Sequence, residues 1–289
     1  MPGALDQPLA LPVIPRKAAP VALQSDATTS DAFLAITAEC IDHWQCNVDA
    51  ISPDRPEALH QARVGVRRFR SALSLFAREL DVPQVRWLGD EIRELALPLG
   101  DARDLDVLLG GDGNGPDLGP AAREALEERR RAAYATVGEV LESARWADAW
   151  DLVDRFRGHA PWDLDPDRPA PETAAAALDR RWRRIRRSRS LTELDAAQRH
   201  RVRIQAKKLR YGSQFFADLF VTSSGTPPTE FAEVLGDAQD QLGVLNDHHV
   251  QELILESVGV ELPAHDEPKA VRSAQAALDR VLDQAPFWR

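Results

Sequence analysis

Two eleven-residue segments carry cations at a spacing suited to a long anion. The first is His60-Gln61-Ala62-Arg63-Val64-Gly65-Val66-Arg67-Arg68-Phe69-Arg70, and the second is His200-Arg201-Val202-Arg203-Ile204-Gln205-Ala206-Lys207-Lys208-Leu209-Arg210. They align without a gap at an offset of 140 residues. On a helix turning about 100° per residue, with His60 at zero, Arg67 falls at about −20°, Arg63 at about −60° and Arg70 at about −80°. One narrow stripe therefore holds four potential cations, and His200, Arg203, Lys207 and Arg210 repeat it. Successive members stand roughly 5 Å apart along the axis, so one helix can follow an extended polyanion. Arginine forks grip two oxygens at once, whereas lysines act as point charges. Stacked like charges cost tenths of a kcal/mol per pair. A single such helix would read most simply as a solvated or internally paired face. Its duplication, leading histidine included, favours a functional role.

Other chemistries are poorly supported. Asn246-Asp247-His248-His249 invites a metal reading, since His and Asp are common ligands. Adjacent histidines on a helix point about 100° apart, however, and the first-half counterpart Asp104-Leu105-Asp106 has no histidine. The reading favoured here has Asp104 and Asp247 orienting arginines of the basic helices, with no metal and no cofactor. There is no Gly-x-Ser-x-Gly elbow, Walker-type loop or His-Glu-x-x-His helix. His60 and His200 each head a cationic stripe, where hydrogen bonding to a ligand suits them better than acid–base catalysis.

The elements that must position these residues are helices. From Asp31 onward the chain is rich in Ala, Leu, Arg and Glu and lacks strand-like alternation. Helices are expected near 31–51, 57–80, 84–109, 119–144, 171–188, 195–221, 229–258 and 267–284, with a short piece near 146–157. Ser30 or Asp31 is expected to cap the first, Pro56, Pro120 and Pro171 suit first turns, and Pro98 should kink or split the third. Residues 1–27 contain Pro2, Pro8, Pro12, Pro15 and Pro20 without periodicity and read as a flexible leader.

A second repeated block follows each stripe by about 40 residues. Leu99-Gly100-Asp101-Ala102-Arg103-Asp104 answers Leu242-Gly243-Val244-Leu245-Asn246-Asp247. The expected helices also pair, four with four, which predicts an all-α fold of two duplicated four-helix halves, about 28–158 and 171–284.

The 289 residues carry a formal charge of −10, so an anionic partner must meet a local basic patch. Residues 180–210 supply one, with 13 Lys or Arg against two acids. Residues 211–268 contain 11 acids and no Lys or Arg, so some of these acids could neutralise arginines of the 180–187 run. Coating of nucleic acid in general is disfavoured by the acidity and by the lack of aromatics interleaved with the stripes. Cys40 and Cys46 lie on different faces of one expected helix and should not pair. No stretch approaches the roughly 18 apolar residues of a membrane span, which leaves a cytoplasmic home as the default and no membrane partner.

The His-x-x-Arg-Val-x-x-Arg-Arg-x-Arg opening, the Leu-Gly-x-x-Arg-Asp block and their second copies resemble the CHAD domain, the conserved histidine α-helical domain. The resemblance spans about residues 28–284. It implies two pseudo-symmetric four-helix bundles around a basic central cavity, and non-catalytic binding of inorganic polyphosphate, with association with polyphosphate granules. Applied to this chain, it assigns ligand contacts to His60, Arg63, Arg67, Arg68, Arg70, Arg103, Arg183 and Arg187. In the second half it adds His200, Arg203, Lys207, Lys208, Arg210 and Tyr211. Asn246 stands where the first half has Arg103, which weakens a phosphate role there. Pro15-Arg16-Lys17-Ala18-Ala19-Pro20-Val21 resembles the linker that joins such domains to an amino-terminal CYTH domain, so the chain looks like the carboxy-terminal part of a CYTH-CHAD protein. The alternatives are a metal-dependent polyphosphate phosphohydrolase or phosphotransferase, and a helical nucleic-acid-binding protein.

Overall fold

Helix starts are set by proline and capping chemistry. The computed structural model describes residues 14–80, 83–110, 116, 118–158, 167–188, 190–220, 227–260 and 266–289. Its helices are α1 (Thr29–Val48), α2 (Pro56–Leu75), α3 (Pro83–Leu95), α4 (Leu97–Leu108), α5 (Pro120–Leu141) and α6 (Ala144–Arg155). They are followed by α7 (Ala170–Arg187), α8 (Ala196–Phe215), α9 (Pro228–Glu256) and α10 (Glu267–Leu282). Among the described residues the fold is all-α, and the extended pairing is an isolated antiparallel bridge between Thr28 and Pro169.

The expected helix over 84–109 is split between Leu95 and Leu97, where Pro98 sits in the first turn of α4. Its missing N–H is harmless there and its ring would clash deeper in a helix. The cap of α1 is Thr28 rather than Ser30 or Asp31. The Thr28 hydroxyl accepts from the Asp31 N–H, and the Asp31 carboxylate accepts from the Thr28 N–H, a reciprocal capping box.

Packing follows the apolar faces. Helix α1 lies along α2, α7 along α8, α8 along α9, α9 along α10, and α2 also meets α8. Gly65 is required at the first contact, because a Cβ there would stand 2.7 Å from the Trp44 Cα. One apolar core joins residues from nearly every helix, including Phe33, Trp44, Phe69 and Phe76 with Trp182, Phe215, Phe216 and Phe231.

Two expectations are corrected. Residues 14–27, read as part of a flexible leader, are packed: Val21 and Leu23 are buried in the core. The Arg16 N–H donates to the Asn47 side chain at 3.0 Å, and the Ala19 N–H to Glu39 at 2.7 Å. Apolar anchors and paired backbone groups order this stretch despite its prolines. Residues 1–13 lie outside the described residues. Arg68, placed in the sequence motif with the stripe, points the other way. It is 5% exposed, donates to Glu39 Oε2 at 2.7 Å and stacks over the Phe215 ring at 4.9 Å. Its wheel angle, about +80°, already lay off the stripe.

Glu39 therefore neutralises a buried cation and also anchors the Ala19 backbone. Glu39→Ala is expected to destabilise the protein by about 3–5 kcal/mol, because it strands the Arg68 charge. Urea unfolding is the measurement, and a loss below about 0.5 kcal/mol, the size of an ordinary surface change, would contradict the assignment.

Cys40 and Cys46 are both unpaired thiols, as expected from their spacing. No helix among the described residues is long and apolar enough to cross a membrane.

Candidate functional site

The two stripes meet. Helices α2 and α8 are in contact, and α4 and α9 bring their acidic blocks to the same region. Lys207 of α8 feels Arg203 on its own helix and Arg67 and Arg63 from α2, with Asp247 opposing them. Burial comes first among the causes and this cationic surrounding adds to it, so its ammonium pKa is pushed down to about 7. Arg63 and Arg203 are lowered too, mainly by burial, with Asp104 and Asp247 respectively opposing the shift.

Local sequence explains how these guanidiniums are held. Arg63 lies so close to α4 that a Cβ on Gly100 would stand 2.7 Å from its Nη1. The glycine of the Leu-Gly block thus leaves room for an arginine, and Arg103 lies near enough to repel Arg63. In the second half Gly243 does not play that part. Arg203 instead donates through Nη2 to Asp247 Oδ1 at 3.3 Å. The expectation that the block's aspartates orient stripe arginines holds directly for Asp247 and as a charge interaction for Asp104. Burial, followed by the approach of Asp101 and Asp247, raises the Asp104 pKa against the pull of Arg63, so the two acidic blocks share one field. The Nε atoms of Arg67 and Arg203 are buried without a hydrogen-bond partner among the described residues.

His200 is exposed and lines a cleft of about 540 Å³ together with Arg203, Leu242, Leu245, His248 and Glu252. His60 is half-buried on the first turns of α2. The side chains of Asn246 and His249 lie outside the described residues. Among the described residues no group of three or more His, Cys, Asp or Glu side chains is placed to hold a metal ion.

Further along the stripes, Arg70 sits beside Arg93 and Asp90. Its counterpart Arg210 donates weakly to Gln239 at 3.4 Å and lies over Gly236. Tyr211 stacks on Phe215. Lys208 does not join Lys207. Its ammonium donates to the Ser74 hydroxyl at 3.0 Å, and burial together with Arg181, Arg70 and Arg184 pushes its pKa to about 8.

The arginine run of α7 divides. Arg183 is exposed and paired with Asp179 at 2.8 Å, on its own helix. Arg187 is exposed at the end of α7. Arg180 and Arg181 were candidates for neutralisation by acids of 211–268. They donate instead to the carbonyls of Leu75 and Ser74 at 3.0 and 2.6 Å, where the C-terminus of α2 presents unpaired acceptors. Sequence reasoning missed Arg181 and Ser74 because their meeting depends on how α7 crosses the end of α2.

An all-α chain whose two basic helices, α2 and α8, are in contact is what the fold and the site define. A model of the CHAD domain matches residues 35–256, and the chain belongs to that family. Two uncharacterized proteins of Mycobacterium tuberculosis, from two strains, are 30% identical over 229 residues, covering 71% of this chain and 42% of their own length. The chain thus spans less than half of those relatives. The crystal structure of the CHAD domain from the plant Ricinus communis superposes with a TM-score of 0.72 at 31% identity, covering 93% of this chain and 90% of that one. PptA from Streptomyces chartreusis shares the fold, with a TM-score of 0.59 at 16% identity over 88% of this chain and 94% of its own.

Proposed function

We propose that this protein binds inorganic polyphosphate, without turning it over, in a basic cavity between two pseudo-symmetric four-helix halves. The observation that carries the reading is that Arg63 and Arg67 from α2 share one field with Arg203 and Lys207 from α8, where burial first and the neighbouring cations second push the Lys207 ammonium to about 7. Cations that outnumber the carboxylates of Asp104 and Asp247 beside them repel one another in the free protein, and a dense anion relieves that repulsion. Membership of the CHAD family and the implication of the sequence motifs support the same ligand. Arg63, Arg67, Arg103, Arg203 and Lys207 form the centre, with His60, His200, Arg70 and Arg210 along the two stripes. Arg68 is withdrawn from the ligand set because its charge is spent on Glu39. A cytoplasmic protein with this property would collect on polyphosphate granules.

Titration calorimetry with long-chain polyphosphate tests the reading, alongside Arg67→Ala, Lys207→Ala and the double variant. Each single change is expected to weaken binding about tenfold or more, the scale of a lost charged hydrogen bond. Both residues face one ligand, and Arg67 itself depresses Lys207, so the double variant should depart from additivity by more than about 0.5 kcal/mol. Additive effects of two independent sites would count against a shared cavity. Release of phosphate on incubation with divalent metal would overturn the non-catalytic assignment.

A further inference from the structure

We propose that the crossing of α2, α7 and α8 forms a second phosphate seat, built from Ser74, Arg181, Lys208, Arg70 and Arg184, which holds a later stretch of the same chain that Arg67 and Lys207 grip. This rests on the polyphosphate reading and adds a second contact region to it.

The seat is a constructed one. Arg181 is only 6% exposed, and its Nη2 donates both to the Ser74 carbonyl at 2.6 Å and to the Ser74 hydroxyl at 2.7 Å. Lys208 Nζ donates to the same hydroxyl at 3.0 Å. With two cations donating to its oxygen, that hydroxyl keeps one proton to donate, and an anion oxygen can accept it. The Arg181 Nε is buried with no hydrogen-bond partner among the described residues. The charges felt by Lys208 are Arg181, Arg70 and Arg184, and those felt by Arg181 are Arg184 and Arg180, with no carboxylate among either set. Asp90 acts on Arg70, and the buried carboxylate of Glu79 acts on Arg180. Capping of the α2 C-terminus explains Arg180 and one bond of Arg181. It does not explain why Lys208, Arg70 and Arg184 gather there as well.

The charges that weigh most on Lys207 are Arg203, Arg67, Asp247 and Arg63, and those that weigh most on Lys208 are Arg181, Arg70 and Arg184, so the two neighbouring lysines face different cations. Arg67 and Ser74 are two turns apart on α2, about 10.5 Å along the axis. A triphosphate can fill either cluster, while one long chain can run between them and gain the effective-concentration advantage of a linked second contact.

The test compares inorganic triphosphate with long-chain polyphosphate on the whole chain, using wild type and the Ser74→Ala, Arg184→Gln double variant. Wild type is expected to take two triphosphates and one long chain. The variant should keep one triphosphate and lose about tenfold in long-chain affinity. Should the double variant fail to fold, Arg184→Gln alone, at an exposed position, is expected to weaken long-chain binding about twofold to fivefold. Two triphosphates still bound by the variant, or unchanged long-chain affinity, would overturn the second seat while leaving the polyphosphate reading intact. Wild type that binds neither phosphate would overturn both.

Discussion

Affinity for long-chain polyphosphate is expected to fall roughly 100- to 1,000-fold as monovalent salt rises from about 50 to about 200 mM. A flexible polyanion condenses counterions, and each protein cation that replaces one releases it into a bath whose concentration sets the gain. For single strands of nucleic acid the logarithmic slope is about −0.7 per contact, so on the order of six contacts give a slope near −4. Six is the number of strong cations on the two stripes, Arg63, Arg67 and Arg70 on α2 with Arg203, Lys207 and Arg210 on α8. A counter-effect comes from the rest of the molecule, whose formal charge of −10 repels the ligand. Salt screens that repulsion too, since the Debye length is already about 10 Å at 0.1 M. The contacts made at bonding distance dominate, and the net slope keeps its sign. Charge neutralisation at the stripes is the cause, so the Arg67→Ala variant should lose about one contact's worth of slope. A flat titration over this range would remove the electrostatic basis of the proposal. RNA added as competitor at physiological salt separates a polyphosphate site from a general anion surface.

The sequence is most legible where a pattern repeats. Helical spacing placed His60, Arg63, Arg67 and Arg70 on one face of α2, and the copy in α8 showed that the face was no accident of composition. Pro98 marked the break between α3 and α4 because a missing N–H has one physical consequence. What could not be read were partnerships between residues far apart in the chain. Arg68 shares the motif with the stripe, yet Glu39 on α1 decides its role. Val21 and Leu23 are too sparse to show periodicity, so proline content alone suggested a leader where the chain in fact packs. Gly100 gave no hint of the guanidinium it accommodates. Ser74 and Arg181 carry no motif at all, and they become informative only when α7 is seen to cross the end of α2. The depressed lysines were hidden for the same reason, since burial is a property of the assembled helices.

Those lysines determine the pH dependence. In the free protein burial and neighbouring cations hold Lys207 at about 7 and Lys208 at about 8, whereas an unfolded lysine titrates near 10.4. A bound polyanion favours the charged ammonium and moves both values back up. Affinity is then greatest below the free-state pKa, where the lysines are charged before the ligand arrives. It declines as pH rises through 7 and then 8, because binding must take up protons that are increasingly scarce. A single lysine contributes up to tenfold per pH unit between its free and bound values, so the fall from pH 6 to pH 9 should be roughly 30- to 100-fold. Stability of the free protein must move the other way. Both lysines are depressed on folding, so the unfolded chain binds more protons between pH 7 and about 10, and stability rises with pH across that window. The usable range ends near pH 9, where Cys40, its thiol pushed up to about 12 by burial, begins to withdraw stability as the unfolded thiol ionises. The decisive comparison is affinity against pH at fixed ionic strength for wild type and Lys207→Gln, with melting temperature recorded without ligand. Lys207→Gln should bind more weakly, lose most of its pH dependence between 7 and 8, and lose the rise in melting temperature over the same interval. If it instead keeps the wild-type profile in both measurements, Lys207 does not sit in the ligand's field, and the stripes of α2 and α8 do not share one anion.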